Sequence, residues 1–416
     1  MNPIETSIEL TPVMPASAVP DVRFVGDRRA YWRLLIRGAA LLAVTLGIYR
    51  FWFATDVRRY LWSHTEVAGD TMEYNGTAYE LLIGFLIAIA LLVPLNLGLF
   101  VVALNLGEIG ALSGFLAFPL LAFLGQFAVY RARRYRLTRT IYRGIRCHQG
   151  GSAWNYATRA ILWWTLIAIT LGLAYPFAQA SLERFKMRHT YYGNLGGRFE
   201  GSGLRLLMRG LPMWFLAIGL PVLALAYAAA TADWGQAGVA AAVSKSANHF
   251  NSVIAITAAT IGVMMAVLLF PVFQAMTMRW WLSGLRFGAL TLDSHLRTRQ
   301  IYGAYLRFLW YSLLFSMAIS VVGGIVYVAL KWGLSSIGRS ELTEIVNAFA
   351  GVGLYVTAML GYSTIYQGTV KLSLWRCGVE SIDLAGISAL DQVTADGAPS
   401  SAVGEGLADA LDVGGL

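Results

Sequence analysis

Apolar positions along this chain fall in long blocks separated by short polar stretches. Eight apolar segments stand near residues 33–54, 80–105, 110–130, 155–180, 206–230, 252–277, 304–330 and 345–370. At about 1.5 Å of rise per residue, each is long enough as a helix to cross a hydrocarbon layer of about 30 Å. The pattern predicts an all-α polytopic membrane protein. Pro94, Pro119, Pro176, Pro212, Pro221 and Pro271 lie within the segments, where proline kinks a membrane helix. Trp and Tyr gather at segment ends (Tyr49, Trp52, Tyr60, Trp62, Trp280, Trp281), as in an interfacial belt.

The polar punctuation between these blocks recurs. Thr45-Leu46-Gly47 returns as Thr170-Leu171-Gly172, Arg59-Tyr60 as Arg184-Phe185, His64-Thr65 as His189-Thr190, and Tyr74 with Gly76 as Phe199 with Gly201. The offset stays at 125 residues (Thr170 against Thr45, Gly201 against Gly76), with no gap. A duplicated apolar unit with the same polar residues in both copies is the mark of an internally repeated membrane protein. A second echo sets Arg139…Gly144-Ile145-Arg146-Cys147 against Arg279…Gly284-Leu285-Arg286-Phe287, and a third sets Arg286-Phe287-Gly288 against Arg376-Cys377-Gly378. The expected layout is a disordered tail over 1–22, membrane repeats over 23–147 and 148–290, a partial third repeat over 291–384, and a disordered acidic tail over 385–416. Alternation and an Asn75-Gly76 step predict a small β element on one membrane face, paired between the two copies.

Composition narrows the class. Of 416 residues, 57% are hydrophobic and only 13% charged, about half the charged share of soluble domains. The net charge of +9 raises the possibility of a nucleic-acid partner, but the basic residues sit in short clusters at the ends of apolar runs. That placement suits lipid headgroups and the inner face of a membrane, so no nucleic acid is expected. Two Cys rule out a disulfide scaffold, and Cys147 and Cys377 read as apolar packing positions. The first twenty residues show no signal peptide, so the first apolar segment is expected to act as an uncleaved anchor.

The run Thr45-Leu46-Gly47-Ile48-Tyr49…Trp52…Arg58-Arg59-Tyr60…His64-Thr65, the Tyr74-x-Gly76 step, and Arg139-Thr140…Arg143-Gly144-Ile145-Arg146 resemble the YjgN-type family. The likeness covers roughly residues 23–380. Copy two departs from it where Ala174, Pro176 and Phe177 stand for Tyr49, Phe51 and Trp52. The resemblance implies a multi-pass protein of the bacterial inner membrane, of a family without an established function. It supplies no catalytic residues.

Eight simple spans conflict with the positive-inside rule. They place the Arg-rich run from Arg131 to Arg146 opposite the basic end of the fourth segment, at Arg184, Lys186 and Arg188. Making the two Thr-Leu-Gly segments re-entrant removes the conflict; keeping eight spans makes three-span units inverted repeats. Both topologies remain open at this point.

Six residues are candidates for contact with a solute. Arg59 and Arg184, kept in both copies, could hold a carboxylate or phosphate, or simply cap a helix end. His64 and His189 form a matched pair, suited to proton relay or to tying a helix end to the β element. Arg37 and Glu80 lie at or near membrane depth. No metal-ligand spacing, phosphate loop or nucleophile elbow is present, so neither cofactor nor metal is expected. The first reading is a transporter or channel-like protein for a small polar or anionic solute, with membrane lipids as its other partner. Its rival is a non-transporting envelope scaffold or membrane-integrity factor. A third reading, a membrane-embedded enzyme built on the two histidines, is set below both, and no enzyme is expected.

Overall fold

The computed structural model describes residues 21–105, 107–230, 239–335, 340–397 and 399–411. Paired helices alternate with paired strands. Strand β1 (Val22–Phe24) leads into α1 (Arg28–Val44) and α2 (Arg50–Ser63), then β2 (Thr65–Val67) and β3 (Asp70–Tyr74). Next come α3 (Ala78–Asn105) and α4 (Gly107–Thr138), then β4 (Thr140–Tyr142) and β5 (Ile145–Gln149). They are followed by α5 (Ala153–Ile169), α6 (Tyr175–Arg188), β6 (Thr190–Tyr192) and β7 (Leu195–Phe199). A π-helical turn joins α7 (Gly203–Trp214) to α8 (Leu220–Ala230), and α9 (Val239–Leu282) returns to β8 (Leu285–Phe287) and β9 (Leu290–Ser294). The last pair is α10 (Thr298–Ser335) with α11 (Ser340–Tyr366), continued through a second π turn as α12 (Leu372–Glu380) and ending in β10 (Ile382–Ala385). A short helix, α13 (Val403–Ala410), follows.

The ten strands form one antiparallel sheet in chain order, so the fold is not all-α. Each five-residue strand divides itself between two neighbours. Asp70 and Thr71 of β3 pair with β2, whereas Met72–Tyr74 pair with β4. The same split recurs in β5 and β7. Such stagger tilts the strands and curls the sheet, as in a barrel. Its edges β1 and β10 approach each other, leaving it nearly closed. Four hairpins share one plan, with a three-residue strand, a two-residue connection and a five-residue strand. Ala68-Gly69 and Arg143-Gly144 make two of those connections with φ of +46°/+87° and +47°/+73°, the left-handed pair that suits strand twist. Asn75-Gly76 is not such a turn: it lies in the link from β3 to α3. The two copies' hairpins do not pair with each other either, because β4 and β5 stand between them.

Five helices among the described residues are long and apolar enough to span a membrane, not eight: Ala78–Val102, Gly203–Ala230, Val253–Leu282, Thr298–Gly333 and Glu344–Glu380. The first and fourth apolar segments are each broken in the middle. Leu46-Gly47 takes φ of +50° and +91°, and Leu171-Gly172 +50° and +93°. Two consecutive left-handed residues end one helix and reverse the chain. Thr45 and Thr170 complete the reversal, their hydroxyls accepting from Tyr49 N (3.0 Å) and Ala174 N (3.1 Å) at the start of the returning helix. The resulting 17- and 14-residue helices reach only about 25 and 21 Å. The third segment belongs to α4, part of which lies outside the residues with described side chains.

Every helix pair therefore leaves the sheet and comes back to it. The basic ends of α4 and α6 run into the same sheet and lie on one side, which removes the positive-inside conflict. Apolar side chains remain outside: Leu46 is 93% exposed at its hairpin tip, and Ile169 at the matching tip is 74% exposed. A protein cannot leave so much apolar surface to water, and lipid is the solvent that accepts it.

The acidic tail is ordered over much of its length, against expectation. After β10, Leu390 fills an apolar hollow among Tyr142, Tyr192 and Leu290 of three hairpins. Farther on, α13 packs Leu407 and Ala408 against Ala88 and Leu92 of α3 and Ala128 and Ala132 of α4. Glycine makes this fit possible. A Cβ on Gly406 would collide with the Gly84 backbone, and one on Gly404 with Arg131. The expected N-terminal tail falls outside the described residues, apart from Asp21 and Val22.

Candidate functional site

Each helix that enters a hairpin carries an arginine in its closing turns. Arg59 donates to the Gly76 carbonyl (2.9 Å), Arg184 to Gly201 (3.1 Å) and Arg279 to Leu296 (2.5 Å), each seventeen residues ahead. Arg134 reaches Gly150 (2.8 Å) and Gly151 in the same way. The carbonyls belong to the link before the next helix, so the guanidinium ties one helix end to the start of another. This register puts Arg134, not Arg139, in the place that Arg279 holds, and corrects the second sequence echo by five residues.

The other candidates also have partners within the fold. Each histidine closes its helix: Nδ1 of His64 bonds the Tyr60 carbonyl and Nδ1 of His189 the Phe185 carbonyl, both at 2.8 Å. Each ring also packs on the same residue, with centroids 4.2 and 4.7 Å apart. Arg37 pairs with Asp56 at 3.3 Å. Glu80 accepts from Tyr135 (2.7 Å) and Arg139 (2.6 Å). The structure brings none of the six onto a shared point. Among the described residues no group of three or more His, Cys, Asp or Glu is placed to hold a metal. Cys147 faces the apolar inside of the sheet, where burial pushes its thiol up to about 11.

A denser arrangement lies one residue inward of the clamps. Helices α2, α4, α6, α9 and α12 touch in a ring where they enter the sheet. Trp62 packs at a tilt on Trp375, ring centroids 5.0 Å apart, and donates to Thr140, and Trp375 donates to Thr65 (both 3.0 Å). Arg133 donates to Thr190 at 2.9 Å. Trp281 donates to Glu183 at 3.1 Å, and the Met278 methyl comes up against Gly378. The α9 and α12 side of the ring is apolar and aromatic. The α2, α4 and α6 side is charged.

On the charged side Arg58 pairs with Glu405 of α13 and donates to Tyr74 (3.2 Å), and only 6% of it is exposed. Arg136 stands 3.7 Å from the same carboxylate. Arg133 meets neutral partners: Gln149 at 3.0 Å, Thr190, and the Met187 sulfur at 3.6 Å. Lys186 pairs with Glu183. Lys371, from the turn before α12, faces Arg58. Apart from the Arg50–Asp409 pair beside it, five cations thus share the arc with two carboxylates. Burial pulls the Lys186 amine below the ordinary lysine range; Glu183 opposes this, and Arg133 and Arg136 add to it. Such an excess of buried and half-buried positive charge is costly and marks a place where an anion is favourable. In the sequence the Arg131–Arg146 run reads only as a topology signal. Glu405 and Asp409, one helical turn apart on one face, are the signal for the docked tail.

Spans, ring and one-sided sheet define a polytopic membrane protein. The chain belongs to the DUF898 family, bacterial proteins of unknown function, whose model matches residues 19–410. That family fits the YjgN-type resemblance in the sequence. Neither the curated proteins nor the solved structures contain a match.

Proposed function

We propose that this protein binds a small anionic solute at the bacterial inner membrane and carries it across, using the cationic arc of α2, α4 and α6. The observation that carries this reading is the gathering of five cations, Arg58 buried and the others half-buried, around two carboxylates where the helices meet the sheet. Arginine forks suit carboxylate and phosphate groups, and sites at broken helices within repeated units are a transporter habit. The repeated clamps and Thr-Leu-Gly turns are read as the remains of tandem duplication. We read the sheet as cytoplasmic, because the basic helix ends meet it while the stretches 103–116 and 231–238 carry no Lys or Arg.

The test is flux of labelled inorganic phosphate and sulfate into proteoliposomes holding the full chain. Arg133→Gln should lower uptake tenfold or more, and Arg133→Lys should restore part of it. Equal uptake by empty vesicles, or by Arg133→Gln, would contradict the reading. A second reading, a non-transporting envelope scaffold, draws on the apolar groove of about 470 Å³ between α10 and α11, lined by Phe315, Gly323 and Leu354. It predicts no flux and a co-purifying partner.

A further inference from the structure

The C-terminal helix fills the cleft of the cationic arc with carboxylates of its own. Glu405 reaches Arg58 and Arg136, and Asp409 reaches Arg50. The fit is incomplete. Nε of Arg58, Oε2 of Glu405 and Oδ2 of Asp409 are all buried without a hydrogen bond. Beside them lies a cavity of about 40 Å³ lined by Arg50, Arg58, Glu405 and Asp409. That is room for about one water molecule. Burial pushes the Asp409 carboxyl above the usual range, and Arg50 does not fully offset it.

The helix is also poorly able to stand alone. It has eight residues, two of them glycine. Isolated helices of that length are unstable in water, and each glycine costs about 1 kcal/mol more relative to alanine. Its form depends on the cleft. The connection that carries it is fastened at separate points, by Arg143 to Asp391 (3.2 Å), Asn194 to Thr394 (3.1 Å in each direction), Ser400 to Thr138 (3.1 Å) and the packing of Leu390, Val393 and Ala402.

We propose that α13 is a detachable plug whose two carboxylates stand in for a phosphate-class anion, and that such an anion displaces it from Arg50, Arg58 and Arg136. The inference rests on the reading that the arc binds anions, and it adds that the resting protein is self-occluded. A tetrahedral oxyanion would satisfy the Arg58 Nε that Glu405 leaves unpartnered. The chemistry is the same for a phosphorylated solute and for an anionic lipid headgroup.

Hydrogen exchange at amides 404–410 tests this in the full chain, reconstituted in phosphatidylcholine nanodiscs. One arm adds inorganic phosphate; the other replaces a third of the lipid with phosphatidylglycerol and adds none. Exchange should rise tenfold or more in the arm that supplies the true ligand, while α3 and α4 stay protected. The Glu405→Gln variant keeps the glycine packing and the Asp409 pair. It should exchange fast in every arm and bind phosphate more tightly by calorimetry. Phosphate binding that is lost in Arg133→Gln, with exchange at 404–410 unchanged, would sink the plug and leave the anion site standing. No phosphate binding in either chain, with exchange unchanged in both arms, would sink both.

Discussion

Backbone conformation and clamp contacts decide the behaviour of single residues. Gly47 sits at φ +91°, and a methyl group there would meet only open space, so its substitution tests backbone strain alone. Gly47→Ala should destabilise the folded protein by about 1–2 kcal/mol, read as a lower thermal midpoint in detergent. Arg59→Ala removes a charged donor from the Gly76 carbonyl and should lower stability by about 1.5–3 kcal/mol. If the clamp is structural, solute uptake per folded molecule stays the same. The positions of these residues could be read in the sequence, because Arg59 and His64 recur at a fixed offset. Their partners could not, because the partner is a backbone carbonyl in each case and a carbonyl has no sequence signature.

Element by element, helices were legible and strands only in part. Long apolar blocks announce α3, α8, α9 and α10, and alternation marks the stretches that hold β3 and β7, but strands of three residues are too short to show, so the ten-strand sheet was hidden. The two hairpin breaks were half legible: a glycine in mid-segment was visible, whereas the reversal depends on Leu46 and Leu171 also adopting positive φ. Helix α13 was hidden by composition, since an acidic Gly/Ala stretch reads as solvated until its cationic partner is known. Its docking depends on pH through Asp409, which faces Arg50 and Arg58 of α2 and Glu405 of its own helix. The docked pKa is raised, so the docked form takes up a proton more readily than the free tail. This contribution to docking is full below about 3.8, the ordinary Asp value, and is lost as pH rises through the docked value. Amides 404–410 should therefore be better protected as pH falls through that window, once exchange rates are corrected for pH. Asp409→Asn should abolish that trend.

At the scale of the whole molecule, five helix ends meet in a ring above one nearly closed sheet, with charge confined to one arc. The sequence carried the lipid environment in its apolar blocks and the repeated polar contacts in a constant offset. The ring was beyond it, because helices far apart in the chain contribute one or two residues each. The charged site was missed for the same reason: Arg58, Arg133, Lys186 and Glu405 converge from four elements. The central structural claim is that all four hairpins face a single side of the membrane. Asp70→Cys, Arg143→Cys, Asn194→Cys and Ala289→Cys each place a thiol at or beside a hairpin connection, at an exposed position. In sealed vesicles of known orientation, a membrane-impermeant maleimide should label all four from the cytoplasmic face and none from the other. Labelling of any one of them from the opposite face would contradict the account.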